Sequence, residues 1–471
     1  MALNLTDTLR RATVPFEPRE AGKASLYVCG PTVQSEAHVG HGRVGVVFDV
    51  LNRWLRHSGY DVTLVLNITD IDDKIILRAQ REGVPTAVIA ERYARVWNRA
   101  MDALGVLPPD VQPRATGHVP EMLALIGELV DRGFAYESDG SVLFRVRKFD
   151  AYGQLSKRRT DDAQQGDDVP EDTKEDAVDF ALWKAAKPGE PFWDSPWGPG
   201  RPGWHIECSA MAVQHLGGGF DIHGGGVDLV FPHHENEIAQ YEAVHGAPFA
   251  RYWLHNGMVE LGSEKMSKSV GNVIGLLDAV QRWGPGPLRH WYASATYRSP
   301  LSFDAERLDE SAAAHGRLVT FLRAARVASA GAAPDADAVA ATRDAFAAAM
   351  DDDLNTSGAL AALFDLAGAG NERLRLADDG DAEARAMLAA AADVLVELGD
   401  GVLGLHLEAT LEQASRLEVR LAPLVDDLLA QREAARAARD FAAADAIRDR
   451  LAAVGVVVED RPGGARWYVE V

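Results

Sequence analysis

A chain of 471 residues and 50.9 kDa is too long for one hydrophobic core and predicts two to four domains. With 47% hydrophobic and 25% charged residues it is no disordered chain, and it lacks the run of roughly eighteen apolar residues that a transmembrane helix needs. The formal charge of −22 argues against nonspecific nucleic-acid binding by bulk attraction, although not against a local basic track. Two cysteines, Cys29 and Cys208, cannot form a disulfide framework and predict a reducing, cytoplasmic setting. The opening MALNLTDTLRRATVPFEPRE has no apolar stretch behind a basic end, so no secretory leader is expected.

In chain order, LYVC (26–29) reads as a short buried strand broken by Gly30-Pro31. A helix is predicted from about His41 to His57, with Val44, Val47, Phe48, Leu51 and Leu55 at helical spacing. A second strand, Val62 to Leu66, runs into NITDIDD, and another helix follows. This rhythm predicts an α/β fold, a parallel sheet covered by helices. From about Arg132 to Gly203 the rhythm breaks into short strands (SVLFRVRKF), an acidic run and a Trp/Pro/Gly-rich stretch, as expected of an insertion. The acidic run, 161–179, holds nine acids against Lys174 and reads as a solvated surface segment. Alternation resumes at Trp204 with a helix face through Ile206, Met211 and Val213. A strand and glycine turn, FDIHGGGVDLVF, and a helix opening near Pro232 come next. From about Arg289 the chain reads as nearly all helix, with breaks near 329–338 and 378–382. From about Leu424 a helix pair leads to a strand-like end, GVVVEDRPGGARWYVEV.

Three constellations carry chemistry. The first is HVGH, His38 to His41, at the junction of the first strand and helix. A helix N-terminus after a parallel strand is an anion site, Gly40 lets a bulky ligand approach the backbone, and two histidines can donate to phosphate oxygens. The second is KMSKS, Lys265 to Ser269, bordered by Gly262 and Gly271. Only nine of the 48 basic residues are lysines, so Lys265 and Lys268 stand out as a clamp for a di- or triphosphate. Together the two motifs resemble the class I aminoacyl-tRNA synthetases, whose Rossmann-like domain carries one in each half with an insertion between. The third constellation is Cys29, Cys208 in WHIECSAM, and His233 and Glu237 in FPHHENEIAQ. His233 and Glu237, four apart, share a helix face, and the four side chains make a plausible tetrahedral zinc shell. His234 and Glu235 lie on an adjacent face of the same turn, and spacing alone does not fix the register.

CGPTV, HVGH, NITDIDDK, GWHIECSAM, GGGVDLVFPHHENEIAQ and KMSKSVGN together resemble the cysteinyl-tRNA synthetases, and AMDDDLNTSGAL and FAAADAIRDRL extend the likeness over nearly the whole chain. Gln34-Ser35 stands where many of that family have Tyr-Asp, and HVGH where HIGH is commoner. The resemblance implies a Rossmann-like parallel-sheet nucleotide-binding catalytic domain in two halves, 1–130 and 204–288, around an inserted connective domain, 131–203. All-α stem-contact and bundle regions, 289–405, and an anticodon-binding region with a small C-terminal piece, 406–471, complete it. It also implies a cytoplasmic, monomeric ligase that acts on L-cysteine, ATP with Mg2+ and tRNA(Cys), and binds one Zn2+ per chain through Cys29, Cys208, His233 and Glu237. ATP handling falls on His38, Gly40, His41, Lys265 and Lys268. Thr69 and Trp204 are expected to line the amino-acid pocket, with Asp228 near the adenosine or amino group. In the helical tail, arginines such as Arg416, Arg432 and Arg448 and the stacking surfaces of Trp467 and Tyr468 are expected to hold RNA, although 401–471 has nine basic against twelve acidic residues. HHENE lacks the HExxH arrangement of a zinc hydrolase.

Overall fold

The computed structural model describes residues 3–162, 170–261, 264–265, 274–461 and 464–469. Two units divide the chain. One comprises Met1–Gly284, Tyr292–Asp304 and Ala347–Ser357, the other Pro285–Trp291, Ala305–Phe346 and Gly358–Val471.

The first unit opens with an antiparallel hairpin, β1 (Asn4–Asp7) and β2 (Ala12–Pro15), which has no counterpart in the sequence expectations. Asp353, in a left-handed backbone conformation (φ 54°), fastens it. Its carboxylate accepts the Thr6 N–H and Oγ1–H, both at 2.7 Å, together with Tyr297 OH at 3.0 Å and Arg298 Nε at 2.8 Å. Next come β3 (Lys23–Val28), α1 (Val39–His57), β4 (Asp61–Leu66), α2 (Asp73–Glu82), α3 (Thr86–Ala103) and α4 (Val119–Asp131). The last three residues of β3, Leu26, Tyr27 and Val28, are all fully buried, because a parallel strand carries helices on both faces. The apolar stripe of α1 is buried through Val46, Val50, Leu51 and Leu55.

An antiparallel sheet in the order β5-β6-β7-β8 follows, from β5 (Ala135–Ser138), β6 (Ser141–Phe144), β7 (Phe180–Ala185) and β8 (Gly200–Pro202). Asp179, at the end of the acidic run, is not solvated: it is buried, accepting from Tyr136 OH at 2.9 Å and Val146 N at 3.0 Å. Glu175 holds Arg145 through both oxygens, and Arg147 bridges Asp161 and Asp176. Part of the run therefore fixes the sheet's edge.

Then come α5 (Trp204–Leu216), β9 (Phe220–Gly226), α6 (Glu235–His245), β10 (Ala250–Asn256), β11 (Val259–Leu261), β12 (Glu264–Lys265), α7 (Leu276–Trp283), α8 (Pro285–Ala293) and β13 (Leu301–Phe303). The central sheet is fully parallel, in the order β10-β9-β3-β4. With β3 and β9 adjacent and their connections leading outward to β4 and β10, the strand order reverses between them. A ligand crevice opens at the carboxyl ends of strands at such a point. The helix expected near Pro232 does open there: Phe231 is extended (φ −142°, ψ 133°) and breaks the winding of Val230–His234, and α6 continues from Glu235.

In the second unit, α9 (Ala305–Ala328), α10 (Ala340–Asp351) as far as Phe346, α11 (Thr356–Asp378) from Gly358 and α12 (Ala382–Val394) precede the long α13 (Leu407–Ala437). α12 and α13 pack on α9. α14 (Phe441–Ala452) folds back on α13, and an antiparallel pair, β14 (Val456–Arg461) and β15 (Gly464–Val469), closes the chain over a small core of Val425, Leu451 and Val456. No helix among the described residues is long and apolar enough to cross a membrane.

Candidate active site and metal centre

The carboxyl ends of β3 and β9 frame a cleft of about 400 Å³ walled by His38, Gly40, His41, Gly226, Asp228 and Asn256, among others. His38 is the N-cap of α1. Its Nδ1 accepts the Gly40 N–H at 3.1 Å, and the His41 Nδ1 accepts the His38 N–H at 3.2 Å. A Cβ on residue 40 would lie 3.0 Å from the His38 ring, so glycine makes room for the cap as well as for a ligand. Arg43, in the next turn of α1, is buried and donates to the carbonyls of Gly257, Met258, Thr296, Tyr297 and Ser299 at 2.5–3.2 Å. Burial lowers its pKa to about 10. The first turns of α1 are thus tied to the segment that leads from β10 into β11.

Cys29 is the first residue after β3, and Cys208 lies in α5. Both are buried free thiols whose sulfurs stand 3.7 Å apart. Glu237 Oε1 lies 3.6 Å from Cys29 Sγ and 3.0 Å from His233 Nε2. Donor atoms of Cys29, Cys208, His233 and Glu237 all lie within 4.8 Å of one another, and so do those of a second set, Cys29, His223, His234 and Glu237. Burial raises the Cys29 thiol and the Glu237 carboxyl well above their usual ranges and pushes His233 and His234 well below theirs. Neutral imidazoles are what metal ligation requires, and a divalent cation reverses the penalty on thiolate and carboxylate. The donor set therefore fits a borderline-soft ion such as zinc.

The register left open by spacing resolves in part. Glu235 turns away from the cluster and accepts the backbone N–H groups of Gly153, Leu155 and Ser156. His234 stays at the cluster, its Nε2 3.3 Å from Cys29 Sγ. Three histidines escaped the sequence reading. His205 Nδ1 meets His233 Nδ1 at 2.9 Å, His223 Nε2 meets Glu237 Oε2 at 2.8 Å, and His255 Nε2 meets His234 Nδ1 at 2.8 Å with Thr8 Oγ1 on its other nitrogen. These orient and partner the cluster's side chains, as outer partners of ligating histidines do. The signal was present: five of fourteen histidines fall in the stretches WHIEC, FDIHGG, FPHHE and WLHN.

Asp228 joins His38, Gly40 and His41 in the cleft. Trp204 and Thr69 do not wall it. Trp204 stacks on His233 with ring centroids 4.3 Å apart, and Thr69 is buried, its Oγ1 accepting from Asn67 Nδ2 at 3.3 Å. The backbone of Lys265 lies in β12, and Lys268 falls outside the described residues. In the tail, Arg416 and Arg448 are exposed, whereas Arg432 is buried and held by both oxygens of Asp460 at 2.7 and 2.9 Å. Trp467 packs against the small C-terminal core, its Nε1 donating to Asp426 at 3.0 Å, and Tyr468 lies under the Arg323 guanidinium.

Residues 15–313 match the family described as tRNA synthetases class I (C) catalytic domain, 345–408 the DALR domain, and 419–467 the cysteinyl-tRNA ligase anticodon binding domain. The chain is 50% identical to the cysteine--tRNA ligase of Thioalkalivibrio sulfidiphilus over 99% of both chains. It is 47% identical to that of Geobacter metallireducens over the full length of both. Among solved structures, Mycobacterium tuberculosis methionyl-tRNA synthetase in complex with methionyl-adenylate shares the fold, with a TM-score of 0.63 and 19% identity over 82% of this chain and 92% of that one.

Proposed function

Because this chain belongs to the class I cysteinyl-tRNA synthetases, a family of aminoacyl-tRNA ligases, we propose that it activates L-cysteine with Mg-ATP and transfers it to the 3′ adenosine of tRNA(Cys). Cys29, Cys208, His233 and Glu237 would hold one zinc ion, which would supply the preference for a substrate thiolate. The observation that carries the metal assignment is the convergence of two thiols, an imidazole and a carboxylate at the carboxyl end of β3, beside the nucleotide cleft. Gly226 walls that cleft, while a Cβ on its neighbour Gly225 would lie 3.1 Å from the His234 ring.

Zinc supplies a soft Lewis acid that takes a thiolate far more readily than a hydroxyl. Shape alone separates cysteine from serine poorly, since a single-group difference in a pocket is worth about 1–3 kcal/mol. The remaining work is positioning. His205 and His223 hold His233 and Glu237 in orientation. Trp204, stacked on His233, and Thr69 line the amino-acid side of the site, and Asp228 takes the amino group or adenosine. His38 and His41 donate toward the α-phosphate as charge develops, and Lys265 and Lys268 hold the leaving pyrophosphate. No covalent enzyme intermediate is needed. Residues 131–203 meet the acceptor end, 289–405 the stem and 406–471 the anticodon, in a cytoplasmic monomer.

The test is charging of total tRNA with labelled cysteine, with and without a zinc chelator. Zinc-dependent, RNase-sensitive label is the expected result. Cysteine-dependent pyrophosphate exchange without charging would reassign the acceptor, and charging indifferent to chelation would remove the metal's role.

A further inference from the structure

The nucleotide cleft continues into a second, open groove of about 470 Å³ that runs along α2. Gln34, Ser35 and Lys74 belong to the walls of both, so the two form one continuous surface within the first unit. Beyond that shared wall the groove is bordered by Arg78, Arg81 and Glu82. Lys74, Arg78 and Arg81 stand at i, i+4 and i+7 of the helix and share its outward face.

Glu36 is exposed next to Ser35, and the other acids nearby are engaged. Glu82 is held by Arg78 at 2.8 Å and Arg92 at 2.6 Å. Asp73 binds Lys184 and Arg201, and Asp72 caps the helix through the Lys74 N–H at 2.8 Å. Arg78 is pinned over the Tyr93 ring and donates to the Gln34 carbonyl at 3.3 Å, which fixes the groove's floor. Lys74 and Arg81 are exposed, and among the described residues neither has an ion-pair partner. Leu77, half-exposed between them, offers an apolar seat. On a chain of net charge −22, Lys74 and Arg81 leave the groove basic, although Arg78 is paired with Glu82, and the groove opens onto the cleft.

We propose that the α2 groove is the track for the single-stranded 3′ end of the transfer RNA. Its phosphates run along Arg81, Arg78 and Lys74, a ribose or base face rests on Leu77, and the terminal ribose enters the cleft past Gln34 and Ser35. A basic groove that follows the backbone, with apolar contacts between its cations, is how single strands are held without sequence readout. The inference rests on the reading of the protein as a tRNA-charging enzyme.

Arg81 walls only the outer groove, so it separates the two functions. In the full-length enzyme, Arg81→Gln and Arg81→Glu are compared with wild type in tRNA charging and in cysteine-dependent pyrophosphate exchange. The KM for tRNA is expected to rise, more for glutamate than for glutamine. The slope of log affinity against log salt should fall by about 0.7 for one lost single-strand phosphate contact. Exchange should be unchanged. Wild-type values for both tRNA readouts in both variants would overturn the track. A matching rise in the KM for ATP in exchange would also overturn it, assigning the groove to the nucleotide's own phosphates. A wild-type enzyme that exchanges pyrophosphate but charges no tRNA would instead overturn the functional reading beneath it.

Discussion

His38 and His41 lie stacked, ring centroids 3.8 Å apart, and each uses its Nδ1 to accept a backbone N–H of the other's turn. Accepting at Nδ1 leaves Nε2 to carry the ring proton. The helix cap thereby sets the tautomer that the proposed phosphate donation needs.

That relationship makes the two roles of His41 separable. In His41→Asn the side-chain oxygen stands near the place of Nδ1 and preserves the cap while the Nε2 donor is lost. Adenylate formation, read as pyrophosphate exchange, should fall by about 10²–10³ with little change in melting temperature. His41→Ala should lose the same activity and, in addition, about 1 kcal/mol of stability from the missing cap.

Cys208→Ala removes one sulfur from the buried cluster. Bound zinc, measured on the purified protein, should fall to a small fraction of one per chain. The preference for cysteine over serine in adenylate formation should shrink toward the roughly 10–200-fold that shape provides. Wild-type discrimination in a metal-free variant would sink the selector role.

Arg43→Met removes a buried guanidinium that ties five backbone carbonyls together; those of Gly257, Met258, Thr296 and Tyr297 each keep one other donor, so what is lost is the tie itself and the bond to Ser299. A loss on the order of 3 kcal/mol or more is expected in denaturant unfolding. Arg43→Lys, with one ammonium in place of a planar fork, should recover only part of it.

Removing the tail should uncouple the half-reactions, and the place of the cut matters. Leu407 and Leu411 are buried at the start of α13, so a truncation near 405 strips apolar surface from the second unit. Ending the chain at Val419 keeps those residues. Pyrophosphate exchange should survive in that form, while tRNA charging falls sharply.

His290 is buried against the Ser311 hydroxyl, and burial, with His315 and Arg317 adding to it, lowers its pKa to about 4. In the unfolded chain it titrates near 6.5. Its folded pKa is the lower one, so the unfolded state binds the proton first as pH falls. Its full contribution is present above about 6.5 and is lost between there and about 4. His290→Gln should flatten the stability profile across that window in unfolding measured at several pH values.

The parts of the fold legible in the sequence are those whose burial is local. β3 and β4 announce themselves as short apolar runs and α1 as a stripe, because each is wrapped by its immediate neighbours in the chain. β10 reads ARYWLHN without alternation, since both its faces are covered and one of them takes a histidine into the cluster. The β1–β2 hairpin is short and polar, and what holds it is Asp353, far along the chain, so nothing local marks it. Cys29, Cys208, His233 and Glu237 were legible as chemistry. Choosing between Glu235 and Glu237 was not, because that choice is made by the Gly153–Ser156 backbone, which takes Glu235 away. Trp204 on His233 is likewise a contact between distant segments.

The clasp of Asp353 on Thr6 also bears on how the protein is made. Synthesis runs from the amino end, so the first strand leaves the ribosome long before the carboxylate that fastens it. A nascent chain stopped at Gly284 holds the whole parallel sheet but lacks Tyr292–Asp304 and Ala347–Ser357. The first unit is therefore finished only after the first stretches of the helical unit, Pro285–Trp291 and Ala305–Phe346, have been translated, and until then its amino-terminal hairpin is a loose end.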